Sequence, residues 1–201
     1  MTDWSHELAL YCGHDTVCGC DEAGRGPLAG PVYAAAVILP RGLVIEGLDD
    51  SKKLSEKKRE AVAVRIREAA VAFSVAFADV EEIERLNILN AALLAMRRAA
   101  AALSPRPTLA LVDGNIVRGF EIEARPVIGG DALCPSIAAA SVLAKVSRDA
   151  FCAEMDALYP QYGFAVHKGY ATKAHREAIL RYGPCPIHRK SFLKKLSGKA
   201  P

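Results

Sequence analysis

The amino-acid sequence predicts an α/β fold with a mixed five-stranded sheet flanked by helices. Three observations predict this class: two apolar segments with strand character come first, helix and strand patterns then alternate, and only helical patterns follow residue 136. The 201 residues are 51% hydrophobic and contain no repeat, low-complexity tract or linker. We therefore expect a single domain over residues 1–201, with a basic helical extension from about residue 171.

The first half of the chain begins with a short helix or irregular lead-in over residues 1–16. Strands are predicted over residues 17–21 and 32–39, and the Gly-Pro pairs between them suit a return of the chain. Ser55 can cap a helix whose apolar residues recur every 3.6 positions. Residues 71–77 then alternate as in a strand.

In the second half, Asp79 and Glu82 have the spacing of a capping box, which predicts a helix over residues 80–86. A longer helix over residues 89–103 is predicted to end at Ser104-Pro105. Residues 108–112 and 126–128 are predicted strands. The remaining predicted elements are helices, over residues 136–159, 171–181 and 191–196.

Positive charge is concentrated near the carboxyl end. Residues 164–201 contain nine Lys or Arg and one acid, Glu177, although the whole chain has a net charge of only +3. This imbalance favours a polyanionic partner for the basic segment, and a solubilising helical end is the alternative.

The cysteines and apolar runs indicate the compartment. The six cysteines form no Cys-x-x-Cys pair, the chain begins without a signal-peptide pattern, and the longest apolar run is too short to cross a bilayer. We expect reduced thiols and a cytoplasmic monomer that does not act at a membrane.

Acidic residues follow three of the predicted strands: Asp21 and Glu22, then Asp113, then Asp131. Strand ends at one edge of an α/β sheet share a crevice, so these carboxylates can meet, although Asp21 and Glu22 converge only if the chain turns there. Clustered carboxylates select hard cations, and two Mg²⁺ or Mn²⁺ ions about 3.5–4 Å apart can promote phosphodiester cleavage. For Asp21-Glu22 alone, a solvated strand end is the ordinary alternative.

Six motifs follow one another along the chain: Cys20-Asp21-Glu22-Ala23-Gly24-Arg25-Gly26, Asp50-Ser51-Lys52-Lys53-Leu54, Leu86-Asn87-Ile88-Leu89, Val112-Asp113-Gly114-Asn115, residues 136–149, and His167-Lys168-Gly169-Tyr170. Together they resemble the motif series of ribonuclease HII, the type 2 ribonuclease H family, over about residues 17–192. The resemblance implies a ribonuclease H-like fold and Mg²⁺- or Mn²⁺-dependent cleavage of RNA in RNA–DNA hybrids. It also implies incision on the 5′ side of single ribonucleotides embedded in duplex DNA.

The resemblance assigns catalytic and metal-binding roles to four carboxylates, those of Asp21, Glu22, Asp113 and Asp131. Gly129 stands where the family commonly has lysine, so Asp149 is kept as an alternative fourth carboxylate. A pairing or capping role within its own helix suits Asp149 better.

The resemblance also assigns residues that read the sugar. Gly24, Arg25 and Gly26 match the loop that senses the ribose 2′-hydroxyl through backbone groups, and Tyr170 matches the tyrosine beside that loop. A 2′-hydroxyl both donates and accepts, so a backbone loop that offers both can distinguish RNA from DNA. For Tyr170 alone, core packing would be the ordinary interpretation.

Basic and hydroxyl side chains form a further candidate surface. Ser141, Lys145 and Arg148 recur at i, i+4 and i+7, a stripe that suits a phosphate backbone, with an ordinary solvated face as the alternative. We also expect a phosphate contact from Lys52 or Lys53. The neighbouring Lys57, Lys58 and Arg59 are expected to be solvated.

The histidines and cysteines carry weaker signals. Cys12, His14, Cys18 and Cys20 could suggest zinc, but a strand within a sheet lacks the turn that zinc ligands need. Three histidines lie among lysines and arginines, and phosphate contact or exposure explains them better than catalysis: His167, His175 and His188.

Two other functions compete with ribonucleotide-directed cleavage. One is a different two-metal nuclease or strand-transferase on the same fold, because fold does not determine function. The other is a non-catalytic module that binds hybrids. The acids argue against it, since a pure binder has no reason to gather negative charge beside phosphates.

Overall fold

The computed structural model describes residues 3–48 and 54–197, and its five strands form one mixed sheet. The strands are β1 (Val17–Ala23), β2 (Val32–Ile38), β3 (Ala72–Ala78), β4 (Leu109–Asp113) and β5 (Glu123–Val127), and their spatial order is β3-β2-β1-β4-β5. β2 is antiparallel to both β1 and β3, whereas β4 is parallel to both β1 and β5. The predicted α/β class with a mixed five-stranded sheet is confirmed.

Helices surround this sheet and continue to the carboxyl end. They are α1 (Trp4–Ala9), α2 (Glu56–Ala69), α3 (Val80–Leu86), α4 (Ile88–Ala101), α5 (Gly130–Leu133), α6 (Pro135–Leu158), α7 (Phe164–His167), α8 (Lys173–Tyr182) and α9 (Lys190–Ser197), with a 3₁₀ turn at Pro160–Tyr162. The predicted C-terminal helices are therefore present. The expectation of a single domain stays a prediction.

Local capping interactions explain where two of these helices begin. The Ser55 side chain accepts a hydrogen bond from the Lys58 amide at the start of α2. At the start of α3, Asp79 and Glu82 each accept from the other's backbone amide, as the capping-box pattern predicts.

Four predicted boundaries were wrong by two residues or more. α4 ends at Ala101, whereas the helix was predicted to reach residue 103. β1 does not turn after Asp21 but continues through Ala23, and β5 begins at Glu123, three residues before the predicted strand. α8 begins at Lys173 rather than residue 171, because the Thr172 hydroxyl accepts from the His175 amide and caps the helix.

The two faces of the sheet bury different helices. Ala34 and Ala36 of β2 face α4, whereas Ala35 and Val37 face α2 and the alanine-rich first half of α6. Gly19 makes the close approach of α6 possible, since a Cβ there would lie 2.3 Å from the backbone N of Ile137. α6 therefore lies directly against the strand that carries Asp21 and Glu22.

The C-terminal helices pack onto the loop that follows β1. Leu28 and Ala29 of that loop are buried in one cluster with Tyr162, Phe164 and Ile179. The C-terminal helices are thus packed against the glycine-rich loop.

Candidate active site

Three of the four predicted carboxylates line one cleft at the carboxyl ends of β1 and β4. The ladder between these strands stops at the Cys20–Val112 pair, so the next residues, Asp21 and Asp113, lie at the open edge. Asp21, Glu22 and Asp113 border a cavity of about 220 Å³. Asp21 and Glu22 can both border the cleft without the turn that was expected after Asp21. β4 ends at this point, so both faces of β1 are accessible from the cleft.

Asp21 and Glu22 approach the cleft from opposite faces of the sheet. The Asp21 carboxylate accepts a hydrogen bond from the Glu22 amide at 2.7 Å, and the nearby Ser141 hydroxyl of α6 opposes the rise in the pKa of Asp21. Glu22 accepts from Arg25 at 3.2 Å, and it also borders a cavity lined by Leu93 and Met96 of α4.

The carboxylates in this cleft are electrostatically coupled. Burial raises the pKa of Asp21 well above its ordinary value, and the negative charges of Glu22 and Asp113 raise it further. Burial also raises the pKa of Glu22, against the opposing effect of Arg25. The cleft is therefore a place where positive charge would stabilise the ionised acids.

Asp131 lies in a different position from the other three acids. It is buried in the first turn of the short helix α5 and does not line the cleft, although the neighbouring Gly130 amide donates to Asp113 at 2.8 Å. Within residues 3–48 and 54–197, no group of three His, Cys, Asp or Glu side chains is arranged to hold a metal ion.

The glycine loop and Tyr170 meet at the same cleft. Gly24, Arg25 and Gly26 line it, and Arg25 and Gly26 are exposed. Tyr170 is 46% exposed, and its ring lies 3.6 Å from where a Cβ on Gly26 would be. The Leu28 amide donates to the Gly169 carbonyl at 2.8 Å, which joins the two segments.

The stripe on α6 is not an ordinary solvated face. Ser141, Lys145 and Arg148 all line the cleft. Ser141 is buried beside Asp21, and Lys145 forms an ion pair with Asp149 one turn later. Arg148 is buried, and its guanidinium donates to the carbonyls of Lys168 at 2.9 Å and Ala29 at 3.2 Å.

Asp149 pairs with cations and not with the other acids. Besides Lys145 it binds Arg59 at 3.1 Å, and both partners in that second pair are buried. The prediction that Arg59 is solvated was therefore wrong, because Asp149, ninety positions away, draws it into the core. The predicted phosphate contacts of Lys52 and Lys53 lie outside the described residues.

The prediction that the histidines are exposed or contact phosphate was wrong for two of them. His175 and His188 are buried, and their Nε2 atoms lie 3.1 Å apart. His167 stacks on His175 with ring centroids 4.3 Å apart. Lysines and arginines flank them in sequence, but the side chains face the interior of the C-terminal helices.

Sequence reasoning also missed two buried charged residues. Arg189 is fully buried and donates to carbonyls of the glycine loop. Glu7 is fully buried and accepts from the Ser136 amide at 2.9 Å, which caps α6 from the opposite end of the sequence. Neither position belongs to a local pattern, so neither had a sequence signal.

Comparison with known proteins gives the same family as the six motifs. The family model described as ribonuclease HII matches residues 18–195. A ribonuclease HII from Laribacter hongkongensis is 60% identical over 178 residues, which cover 88% of this chain and 90% of the relative.

Solved structures share the fold. The ribonuclease H2 of Pyrococcus horikoshii superposes with a TM-score of 0.75 at 24% identity, covering 92% of this chain and 98% of that one. Bst-RNase HIII, solved in complex with Mn²⁺, has a TM-score of 0.64 at 20% identity, with 91% and 69% covered.

No helix in the described part of the chain is long and apolar enough to cross a bilayer. The family model covers nearly the whole sequence, and the matched segment contains both acid-bearing strands and the glycine loop. The chain belongs to the ribonuclease HII family and is a ribonuclease H, an endoribonuclease of the hydrolase class.

Proposed function

We propose that the protein incises duplex DNA on the 5′ side of single embedded ribonucleotides and cleaves the RNA strand of RNA–DNA hybrids. One observation carries the proposal: three carboxylates, the exposed residues Arg25 and Gly26, and Tyr170 line a single cleft. Groups suited to phosphodiester hydrolysis and groups suited to recognising a sugar thereby share one cleft. The expectations of a monomer and of a cytoplasmic location stay predictions.

The donor set of the cleft fits hard divalent cations such as Mg²⁺ or Mn²⁺. Asp21, Glu22 and Asp113 offer only oxygen ligands, and a cation would offset the burial and the neighbouring negative charge that raise the pKa values of Asp21 and Glu22. Asp131 follows Gly130, whose amide binds Asp113, so it is the proposed fourth acid. Two bound ions would lower the pKa of an attacking water and stabilise charge on the leaving 3′-oxygen.

The chain itself holds these acids in place for hydrolysis. The Glu22 amide orients the Asp21 carboxylate, and the Gly130 amide orients that of Asp113. Glu22 is held by Arg25 and would exchange this partner when a cation binds. Hydrolysis on this arrangement leaves a 3′-hydroxyl and a 5′-phosphate.

Discrimination between ribose and deoxyribose is assigned to backbone groups of residues 24–26 and to the Tyr170 ring. A ring that packs on a deoxyribose, whose C2′ carries no oxygen, disfavours ribose at the adjacent position. The duplex itself would lie along exposed cations of α8 and α9, such as Lys173, Arg176 and Lys190. Contacts of this kind make affinity fall steeply as salt is raised.

The test is cleavage of duplex DNA that carries one ribonucleotide, in the presence of Mg²⁺ or Mn²⁺. Wild type should incise 5′ of the ribonucleotide, Asp21→Asn and Asp113→Asn should lose at least a thousandfold in rate, and a chelator should abolish cleavage. Asp15→Asn is the matched control, because Asp15 is exposed and lies before β1 at the opposite end of that strand.

Two results would refute the proposal. Equal cleavage of an all-DNA duplex would identify a nuclease without ribose selectivity. Tight binding with no turnover in either metal would identify a binding module.

A further inference from the structure

Arg189 lies in the segment before α9, and its guanidinium binds the loop of residues 24–31. All five N–H groups donate to main-chain carbonyls, and Arg189 forms no ion pair with a carboxylate of the described residues. Nε donates to Gly30 at 2.8 Å, Nη1 to Arg25 and Pro27 at 3.0 and 2.8 Å, and Nη2 to Gly24 and Pro31 at 2.7 and 3.2 Å. These five donors are the full capacity of an arginine side chain.

The backbone beside Arg189 extends the same attachment. Its amide donates to the Leu28 carbonyl, and the Gly30 amide donates to the Ile187 carbonyl, both at 2.8 Å. Arg148 adds a bond to the Ala29 carbonyl. Seven carbonyls between residues 24 and 31 therefore accept from these two arginines, and the exposed residues Arg25 and Gly26 belong to a loop fixed on its inner side.

A second chain of hydrogen bonds runs from the same segment to Tyr170. The Cys185 amide donates to Nδ1 of His188 at 2.9 Å, so the proton of that neutral ring is assigned to Nε2. His188 Nε2 then donates to His175 Nε2 at 3.1 Å, and His175 Nδ1 donates to the Tyr170 carbonyl at 2.9 Å.

We propose that residues 185–189 are a positioning element that sets the two halves of the sugar-reading site against each other. Arg189 holds the Gly24-Arg25-Gly26 loop, and the His188–His175 pair holds Tyr170. The inference rests on the proposed function in one respect: that the loop and Tyr170 both recognise the sugar. It assigns a positioning role to residues that do not line the cleft.

Geometry and not charge makes Arg189 suited to this role. The guanidinium is a rigid planar fork, whereas the lysine ammonium is a compact group with three donors that cannot reach five carbonyls. A loop that must meet a single hydroxyl loses catalysis when it shifts by an ångström. The substitution Arg189→Lys therefore keeps the charge and removes the positioning.

The first experiment compares Arg189→Lys with Arg41→Lys. Arg41 is the matched control because it also donates to two loop carbonyls, those of His14 and Asp15, but at the amino end of β1. Arg189→Lys should lower kcat for single-ribonucleotide incision at least tenfold, with the Kd for the same duplex, measured without divalent ions, changed less than threefold. Arg41→Lys should change neither value. An unchanged kcat in Arg189→Lys, or a parallel loss of kcat and affinity, overturns the proposal.

Hydrogen exchange of the free protein gives a readout that needs no activity. The Leu28 and Gly30 amides should exchange at least tenfold faster in Arg189→Lys than in wild type, while amides of α4 stay protected. If these two amides exchange as slowly in Arg189→Lys as in wild type, the proposal is overturned. If wild type fails to incise the duplex, the proposed function fails, and hydrogen exchange still decides whether Arg189 holds the loop.

Variants of His175 decide the matter should Arg189→Lys not fold. Asn places an N–H close to the position of imidazole Nδ1, whereas Leu fills the space without a donor. His175→Asn should retain most of the wild-type kcat, and His175→Leu should lose at least tenfold with little change in duplex Kd. Equal kcat values for the two variants overturn the part of the proposal that concerns Tyr170.

Discussion

Gly24→Ala should be among the most damaging single-methyl changes in this protein. Gly24 has φ +101°, a conformation that side chains rarely adopt, and a Cβ there would lie 2.0 Å from Nε and 2.4 Å from Cδ of Arg148. Arg148 cannot move aside freely, because it is buried and bonded to the Ala29 and Lys168 carbonyls. The added methyl group must therefore displace either the loop or the arginine.

The expected cost can be built from its parts. Backbone strain from an alanine at positive φ contributes about 1–2 kcal/mol. Losing one of the two hydrogen bonds from the Arg148 guanidinium contributes about 1.5–3 kcal/mol, because one partner is charged. We expect Gly24→Ala to lower the free energy of unfolding by roughly 3–5 kcal/mol.

Urea unfolding of Gly24→Ala beside Gly42→Ala would measure this value. Gly42 also has positive φ, at +78°, but among the described residues no atom beyond its chain neighbours lies within 4 Å of where its Cβ would be. The control should therefore lose only the strain component, about 1–2 kcal/mol. Equal losses in the two variants would show that close packing of Gly24 on Arg148 is not important, and would refute the reasoning.

Three further predictions concern buried ionisable residues. Glu7→Ala should cost about 2–3 kcal/mol in urea unfolding, because it leaves the Ser136 amide at the start of α6 without its acceptor; a Glu7→Gln variant that lost as much would contradict this account. Asp149→Ala should cost about 3–5 kcal/mol, since it removes the carboxylate that is ion-paired with the buried Arg59, and the double change with Arg59→Met should recover part of the loss. Burial lowers the pKa of His175 from 6.5 to about 4, so the unfolded chain binds that proton more tightly than the native one. The contribution of neutral His175 to the free energy of unfolding should therefore be fully present above pH 6.5, and it should fall by about 3 kcal/mol toward pH 4. His175→Asn should flatten this part of the profile, and an equally steep profile in both proteins would show that His175 is not responsible.

The local parts of the fold could be predicted from sequence because their causes are local. The capping box of Asp79 and Glu82 joins residues three positions apart, and the Ser55 cap joins Ser55 to Lys58. The acid at the end of β4 was likewise visible, since a buried apolar run ends there at Asp113. Such patterns depend on the repeat of a helix or strand, which the order of residues contains directly.

The placement of polar side chains around the site could be predicted only in part. The sequence placed Asp21 and Asp113 at strand ends and Tyr170 near the glycine loop, and the structure puts all three in one cleft. It did not show that Asp131 lies beside that cleft rather than on its wall, because the direction of a side chain in a short helix after β5 depends on how that helix packs.

What the sequence determined by itself was the family, the order of elements and the strand ends that carry the acids. Only the tertiary structure decided that Arg148, His175 and Arg189 are interior residues, bonded to carbonyls of the glycine loop and of Tyr170. Arg189 reaches Gly24 across 165 positions of sequence, and Arg59 reaches Asp149 across 90. From sequence alone, an arginine or histidine in a basic segment is predicted to be solvated. It is buried only where the folded chain places carbonyls or carboxylates that it can bind. Those partners come together only through packing, and packing determines which cations are buried.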